Sequence, residues 1–272
     1  MNDLGIWIGE DTLRQAAVTN LHYCMNILFP NESEERRFLS CLHKMSMGER
    51  YENHDRDYAN DGRTVRFYTK SFEWVAYMKY YDVLEVGKNQ VAKKATPQER
   101  EIVERLMREK RIPPLIRIEI RFNGKPSIRK HFKTVFGEDK ATWTFEEIFN
   151  TKRSRKVMEY YWNKLMGNPL NASILQRPSR EALYRKINSE FQDKIPSPTL
   201  YKAIGMFEQL QTLGIKGLRA EVIKKYSRTT WYSQQKEITT FIQKYVDTYD
   251  TSLKTLVDNA ILTEPRQLGL PL

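Results

Sequence analysis

Three segments of the chain carry reactive side chains at every second position. They are His22 with Cys24, Tyr77 with Lys79, and Glu119 between Arg117 and Arg121. Taken singly, each has a structural explanation: a strand tyrosine packs, and Arg-x-Glu-x-Arg makes a salt-bridged surface. Taken together on neighbouring strands, they would gather imidazole, phenol, ammonium, carboxylate and guanidinium on one face of a sheet. A phenol is a poor nucleophile at its ordinary pKa of about 10, but a nearby cation or metal favours the phenolate. A divalent metal held by one imidazole and one carboxylate could polarise a phosphoryl oxygen, and arginines grip phosphate oxygens in pairs. The chemistry this set suggests is tyrosine attack on a phosphodiester.

The elements needed to position these groups are legible as patterns. Residues 19–29 alternate, with Leu21, Tyr23, Met25, Ile27 and Phe29 on one face and Asn20, His22, Cys24 and Asn26 on the other. Period two over this length predicts a strand with one buried face. Pro30 ends it, and Asn31 with Glu34 opens a helix with the apolar stripe Phe38, Leu39, Leu42 and Met45. Residues 48–63 read as a polar loop. Thr64 to Lys70 and Trp74 to Val86 read as a hairpin joined by Ser71-Phe72-Glu73. Thr96-Pro97 predicts another helix start. Residues 115–122 alternate again, with the isoleucines 116, 118 and 120 on one side.

Beyond about residue 140 the pattern turns helical, with segments expected at 144–166, 179–191, 198–213, 217–226 and 228–246. The expected fold is α+β: an antiparallel or mixed sheet, nuclease-like domain at 1–140 with helices on one face, then a helical DNA-binding domain at 141–272.

The composition fits a nucleic-acid partner. The 272 residues include 45 Lys+Arg against 34 Asp+Glu, a formal charge of +11, and such an excess favours a polyanion. Hydrophobic content of 40% supports a core and argues against a disordered chain. No apolar run approaches the length of a membrane span, and Cys24 and Cys41 are too few for a disulfide framework. A reducing cytoplasm is the expected location. Cys41 and His43, on the first long helix, are expected to be structural. His54 falls in the polar loop and His131 in the basic run Arg129-Lys130-His131-Phe132-Lys133.

The segment Trp74-Val75-Ala76-Tyr77-Met78-Lys79 resembles the Tyr-x-Lys segment of rolling-circle replication initiators of the filamentous-phage gene II and gene X type. Those proteins are relatives of the HUH nucleases and are similar to small-plasmid initiators. Residues 64–68 and the strand after them look like the family's hairpin, and Arg117-Ile118-Glu119-Ile120-Arg121-Phe122 looks like its Arg-Phe-Glu-x-Arg strand. Val18-Thr19-Asn20-Leu21-His22 stands where the family has Arg-Ile-Asp, so Asn20 replaces Arg and His22 replaces Asp. The similarity spans roughly residues 15–245, and the chain is expected to be N-terminally shortened relative to that family.

The resemblance implies an endonuclease that nicks one DNA strand at an origin and forms a 5′-phosphotyrosine link. Tyr77 would be the nucleophile, with Tyr81 as its rival, and Lys79 the assisting cation. Glu119 and His22 would be ligands of a divalent metal, Mg or Mn, and Arg117 and Arg121 would bind phosphate. Arg129 and Lys130 would extend the DNA contact. Residues 217–232 fit a helix-turn-helix, in which Arg228, Thr229, Gln234 and Gln235 face DNA. The implied partners are single-stranded origin DNA and duplex DNA, with a second copy of the chain or host replication proteins, and no membrane. The alternative is a catalytically inactive, shortened relative that binds DNA sequence-specifically as a regulator.

Overall fold

A computed structural model describes residues 9–48, 62–79, 114–176, 180–191, 198–246 and 252–262, together with the helical positions 101, 105 and 108. In order, the elements are α1 (Glu10–Arg14), β1 (Asn20–Leu28), α2 (Glu32–Lys44), β2 (Thr64–Tyr68), β3 (Phe72–Met78), β4 (Leu115–Asn123), α3 (Lys125–Phe136) and α4 (Phe145–Ile148). The helices α5 (Thr151–Met166), α6 (Pro169–Gln176), α7 (Arg180–Phe191), α8 (Pro198–Lys225), α9 (Arg228–Tyr245) and α10 (Ser252–Leu262) follow. The fold is α+β. Among the described residues its four strands are ordered β1-β4-β3-β2, and the pairings between them are antiparallel. Tyr81, the helix expected from Thr96, and the far end of the second hairpin strand lie largely or wholly outside the described residues.

The sheet has one apolar and one polar face because each strand keeps period two through the register. Tyr23 pairs with Ile120, which pairs with Trp74, which pairs with Phe67, and all four side chains are buried. The helices cover this side. α2 opens as expected, with the Asn31 side chain accepting from the Glu34 N–H at 3.0 Å, and it buries Phe38, Leu39, Cys41 and Leu42. Its buried Glu35 accepts the Leu115 N–H at 2.9 Å, which fixes the start of β4. The core runs without a break from Tyr23 to Ile261. No helix among the described residues is long and apolar enough to cross a membrane.

Several expected elements differ in detail. The helix expected at 144–166 is broken, because the Asn150 side chain accepts the N–H groups of Lys152 and Arg153 and starts α5 afresh. The segments expected at 198–213 and 217–226 are present as the two parts of α8, which meet at a break at Gly214 (φ 72°, ψ 179°), so the second begins earlier than expected. Pro169 occupies the first position of α6, where its missing N–H costs nothing.

His131 is not a surface member of a basic run. It is buried beneath the sheet against the rings of Phe72 and Phe122, with Nδ1 hydrogen-bonded to the Tyr161 hydroxyl. Burial, with Lys130 and Lys164 adding, pulls its pKa down to about 4. The unfolded chain therefore takes up this proton first. Stability is lost as pH falls through about 6.5 toward about 4, by roughly 2–3 kcal/mol. Urea unfolding at neutral and acid pH should show this loss in the wild type and a smaller one in His131→Gln. Parallel pH curves for the two proteins would refute it.

Candidate functional site

The register sets out the polar face in three rows. One row reads His22, Arg121, Glu73, Tyr68; the next Cys24, Glu119, Val75, Arg66; the third Asn26, Arg117, Tyr77, Thr64. The three expected segments therefore meet on one surface, with β4 between β1 and β3. His22, Cys24, Asn26 and Arg66 are exposed, so this face is open on the β1 side and at Arg66.

Glu119 is the centre of the face. It is 8% exposed, and both of its oxygens are engaged. The Tyr77 hydroxyl donates to Oε1 at 2.6 Å, reaching diagonally across one row. Arg121 donates through Nε at 2.9 Å and a terminal nitrogen at 2.6 Å to Oε2. Arg121 also reaches Glu73 at 3.3 Å. Burial pushes the Glu119 carboxyl up, but the Tyr77 hydroxyl and the Arg121 guanidinium outweigh it, with help from Arg117, and hold it below the usual carboxylate range. The Lys79 ammonium stands 5.5 Å from the centre of the Tyr77 ring. Arg117 donates from Nε to Asn26 at 2.9 Å.

Two members of this network were not expected from the sequence. Glu73, expected in the hairpin link, is the second residue of β3 and lies two and four positions before Val75 and Tyr77, on their face. Its period-two spacing from Tyr77 was the available signal. Asn26 falls on the polar face by period, and the register sets it opposite Arg117.

The expected metal ligands fit the role poorly in this arrangement. His22 lies opposite Arg121 and Cys24 opposite Glu119, but the Glu119 oxygens accept from Tyr77 and Arg121. Among the described residues, no three His, Cys, Asp or Glu side chains gather in a way that could hold a metal ion. A divalent cation would have to displace the Arg121 guanidinium from Oε2.

The other expected DNA contacts lie elsewhere. Arg129 and Lys130 do not extend the polar face. α3 turns Ile128, His131 and Phe132 into the core, against the apolar side of the sheet, so its basic residues belong to the opposite side of the molecule. Arg129 there pairs with Asp139 at 2.5 Å, and Lys133 pairs with it at 2.8 Å. Arg228 and Thr229 are exposed in the first turn of α9, which the Ser227 side chain caps by accepting the Thr230 N–H at 3.1 Å. Only Tyr226 and Ser227 separate this helix from α8, and Gln234 and Gln235 are half-buried.

The Glu119–Arg121 pair also stabilises the face. Arg121→Met would leave a nearly buried carboxylate with only a hydroxyl donor, and the expected cost is about 2 kcal/mol. Adding Glu119→Gln should recover part of that loss in a double-mutant cycle of urea unfolding; an unchanged midpoint for Arg121→Met would count against the coupling.

No protein-family model, no curated protein and no solved structure matches this chain.

Proposed function

We propose that the polar sheet face nicks single-stranded DNA through Tyr77, as the resemblance to rolling-circle initiators implies, in a nuclease-like sheet domain. The observation carrying this reading is the hydrogen bond from the Tyr77 hydroxyl to Glu119, on a face that also holds Arg117, Arg121 and Lys79. A strand tyrosine that only packed would not need a carboxylate acceptor flanked by two guanidinium groups.

In the proposed step the Tyr77 oxygen bonds to a backbone phosphorus, and the bond from that phosphorus to the 3′-oxygen breaks. The phenol proton passes to Glu119 Oε1, and the departing 3′-oxygen takes a proton from solvent. The product is a 5′-phosphotyrosine link and a free 3′-hydroxyl. Arg117 would meet the non-bridging oxygens and Lys79 would favour negative charge on the phenol oxygen. Because the low pKa of Glu119 makes it a weak base, proton transfer would accompany attack rather than precede it. The direct assay mixes the protein with labelled single-stranded DNA, with and without Mg or Mn, and looks for a protein–DNA species that survives denaturation.

A second reading is a DNA-binding regulator without nicking activity. The capped, exposed start of α9 at Arg228 and Thr229, separated from α8 by a two-residue turn, favours it. Sequence-selective duplex binding with no covalent species under any metal condition would decide for this reading.

A further inference from the structure

We propose that Phe145 and Phe149, with the cations Lys152, Arg155 and Lys156, form a stacking platform for a single-stranded nucleic acid. The two rings stack on each other at 4.9 Å with 14° between their planes. Both face solvent: Phe149 is 77% exposed and Phe145 37%. A phenyl ring exposed to that degree adds little to the core, so burial does not explain its position.

The support beneath the rings is rigid. Thr144 and Glu147 cap α4 reciprocally. The Phe145 N–H donates to Ala16 at 2.9 Å, and the Tyr23 hydroxyl donates to the Ile148 carbonyl at 2.8 Å. These bonds fix the pair beside the segment that enters β1, which lies at one edge of the sheet among the described residues.

The charge around the rings favours a polyanion. Of the carboxylates on α4, Glu146 pairs with Arg14 at 3.3 Å and Glu147 pairs with Lys140; Arg14 also serves Glu10. Just past Phe149, α5 brings Lys152, Arg155 and Lys156, and no carboxylate among the described residues pairs with them. Lys156 lies over the Phe136 ring. Lys152 stands in the first helical turn, where the backbone dipole disfavours a cation. Helix stability therefore does not account for it, whereas a phosphate partner would. Exposed, mutually stacked rings followed along the chain by cations that no described carboxylate pairs with match the way bases and backbone of a single strand are held together, while in a duplex the bases are already stacked on each other.

This inference does not depend on Tyr77, and its test separates the two. Equilibrium binding is read by fluorescence anisotropy in EDTA, using a short dye-labelled single strand of mixed sequence and its duplex. Phe149→Ala should weaken single-strand binding about tenfold and leave duplex binding nearly unchanged, while Phe149→Trp retains affinity. Replacing Lys152, Arg155 and Lys156 with Gln should flatten the salt dependence by about two units of slope. Wild-type affinity in Phe149→Ala overturns the proposal, and so does equal weakening on single strand and duplex. Loss of self-association in sedimentation with unchanged DNA affinity would assign the rings to a protein contact instead. Phe149 is too exposed for its replacement to threaten folding, and Phe145→Ala provides a second reading of the same stack.

Discussion

Tyr77→Phe is expected to reduce the covalent protein–DNA species by at least about a thousandfold, since removing a nucleophile removes the step itself. The variant is a clean one. It deletes a single hydroxyl from a half-buried ring and leaves Glu119 paired with Arg121. The stability cost should be about 1 kcal/mol, the value of one hydrogen bond to a carboxylate that keeps its other donors. A loss of adduct with an almost unchanged unfolding midpoint would therefore be chemical in origin. Tyr81→Phe serves as the comparison, because period two puts that residue on the same face in the sequence pattern. If Tyr81→Phe abolishes the adduct and Tyr77→Phe does not, the assignment moves to Tyr81 and the bond to Glu119 becomes structural. If both variants behave as wild type, the tyrosine mechanism fails.

The pH profile adds a separate check on the same step. The carboxyl of Glu119 is held below the ordinary range by Tyr77 and Arg121 against the effect of burial. It stays ionised through the neutral and mildly acid range, so titration of Glu119 should not limit nicking near neutrality. Glu119→Gln retains the shape of the side chain and removes the acceptor charge. It should slow nicking while changing single-strand affinity little, since the contact with phosphate is assigned to Arg117.

The parts of this site that were legible in the sequence are those governed by local period. In β1 and β4 the apolar positions recur every second residue, so the outward placement of His22, Cys24, Arg117, Glu119 and Arg121 follows from the strands alone. Glu73 was hidden because it stands beside a turn, and its partner Arg121 is distant in the chain. Only the register of β3 against β4 brings them together. α3 was hidden for a different reason. Its buried positions Ile128, His131 and Phe132 are embedded among Lys125, Arg129, Lys130 and Lys133, so a helix with an apolar side reads as a basic run. The same masking led to the expectation that Arg129 and Lys130 adjoin the polar face. Burial of a histidine against two phenyl rings is a tertiary outcome that no spacing announces.

Gly214→Ala is expected to destabilise the protein by about 4 kcal/mol, the largest stability effect of any single methyl group considered. Gly214 has φ 72° and ψ 179°, a region that L-residues reach only under strain. A Cβ there would also lie 2.7 Å from both the Cα and the carbonyl oxygen of Lys44. These are backbone atoms at the end of α2, so no rotamer change relieves the clash. Lys44 is held in turn, because its ammonium donates to the Gln211 carbonyl at 2.7 Å. The break at Gly214 thus lets the two parts of α8 close onto α2, with Leu210, Ile215 and Leu218 buried around it. Gly205 provides the contrast within the same helix. It has open space where a Cβ would stand, so Gly205→Ala should raise stability by about 0.5–1 kcal/mol through helix propensity alone. Urea midpoints moving in opposite directions would locate the joint between sheet layer and helical region at Gly214. Equal shifts would mean that α2 yields to the added methyl and that the close approach is not required. Since α2 also packs under β2 and β3, a Gly214→Ala protein that still folds should test whether loosening this joint reaches Tyr77: its single-strand nicking should then fall while binding at Phe149 is retained.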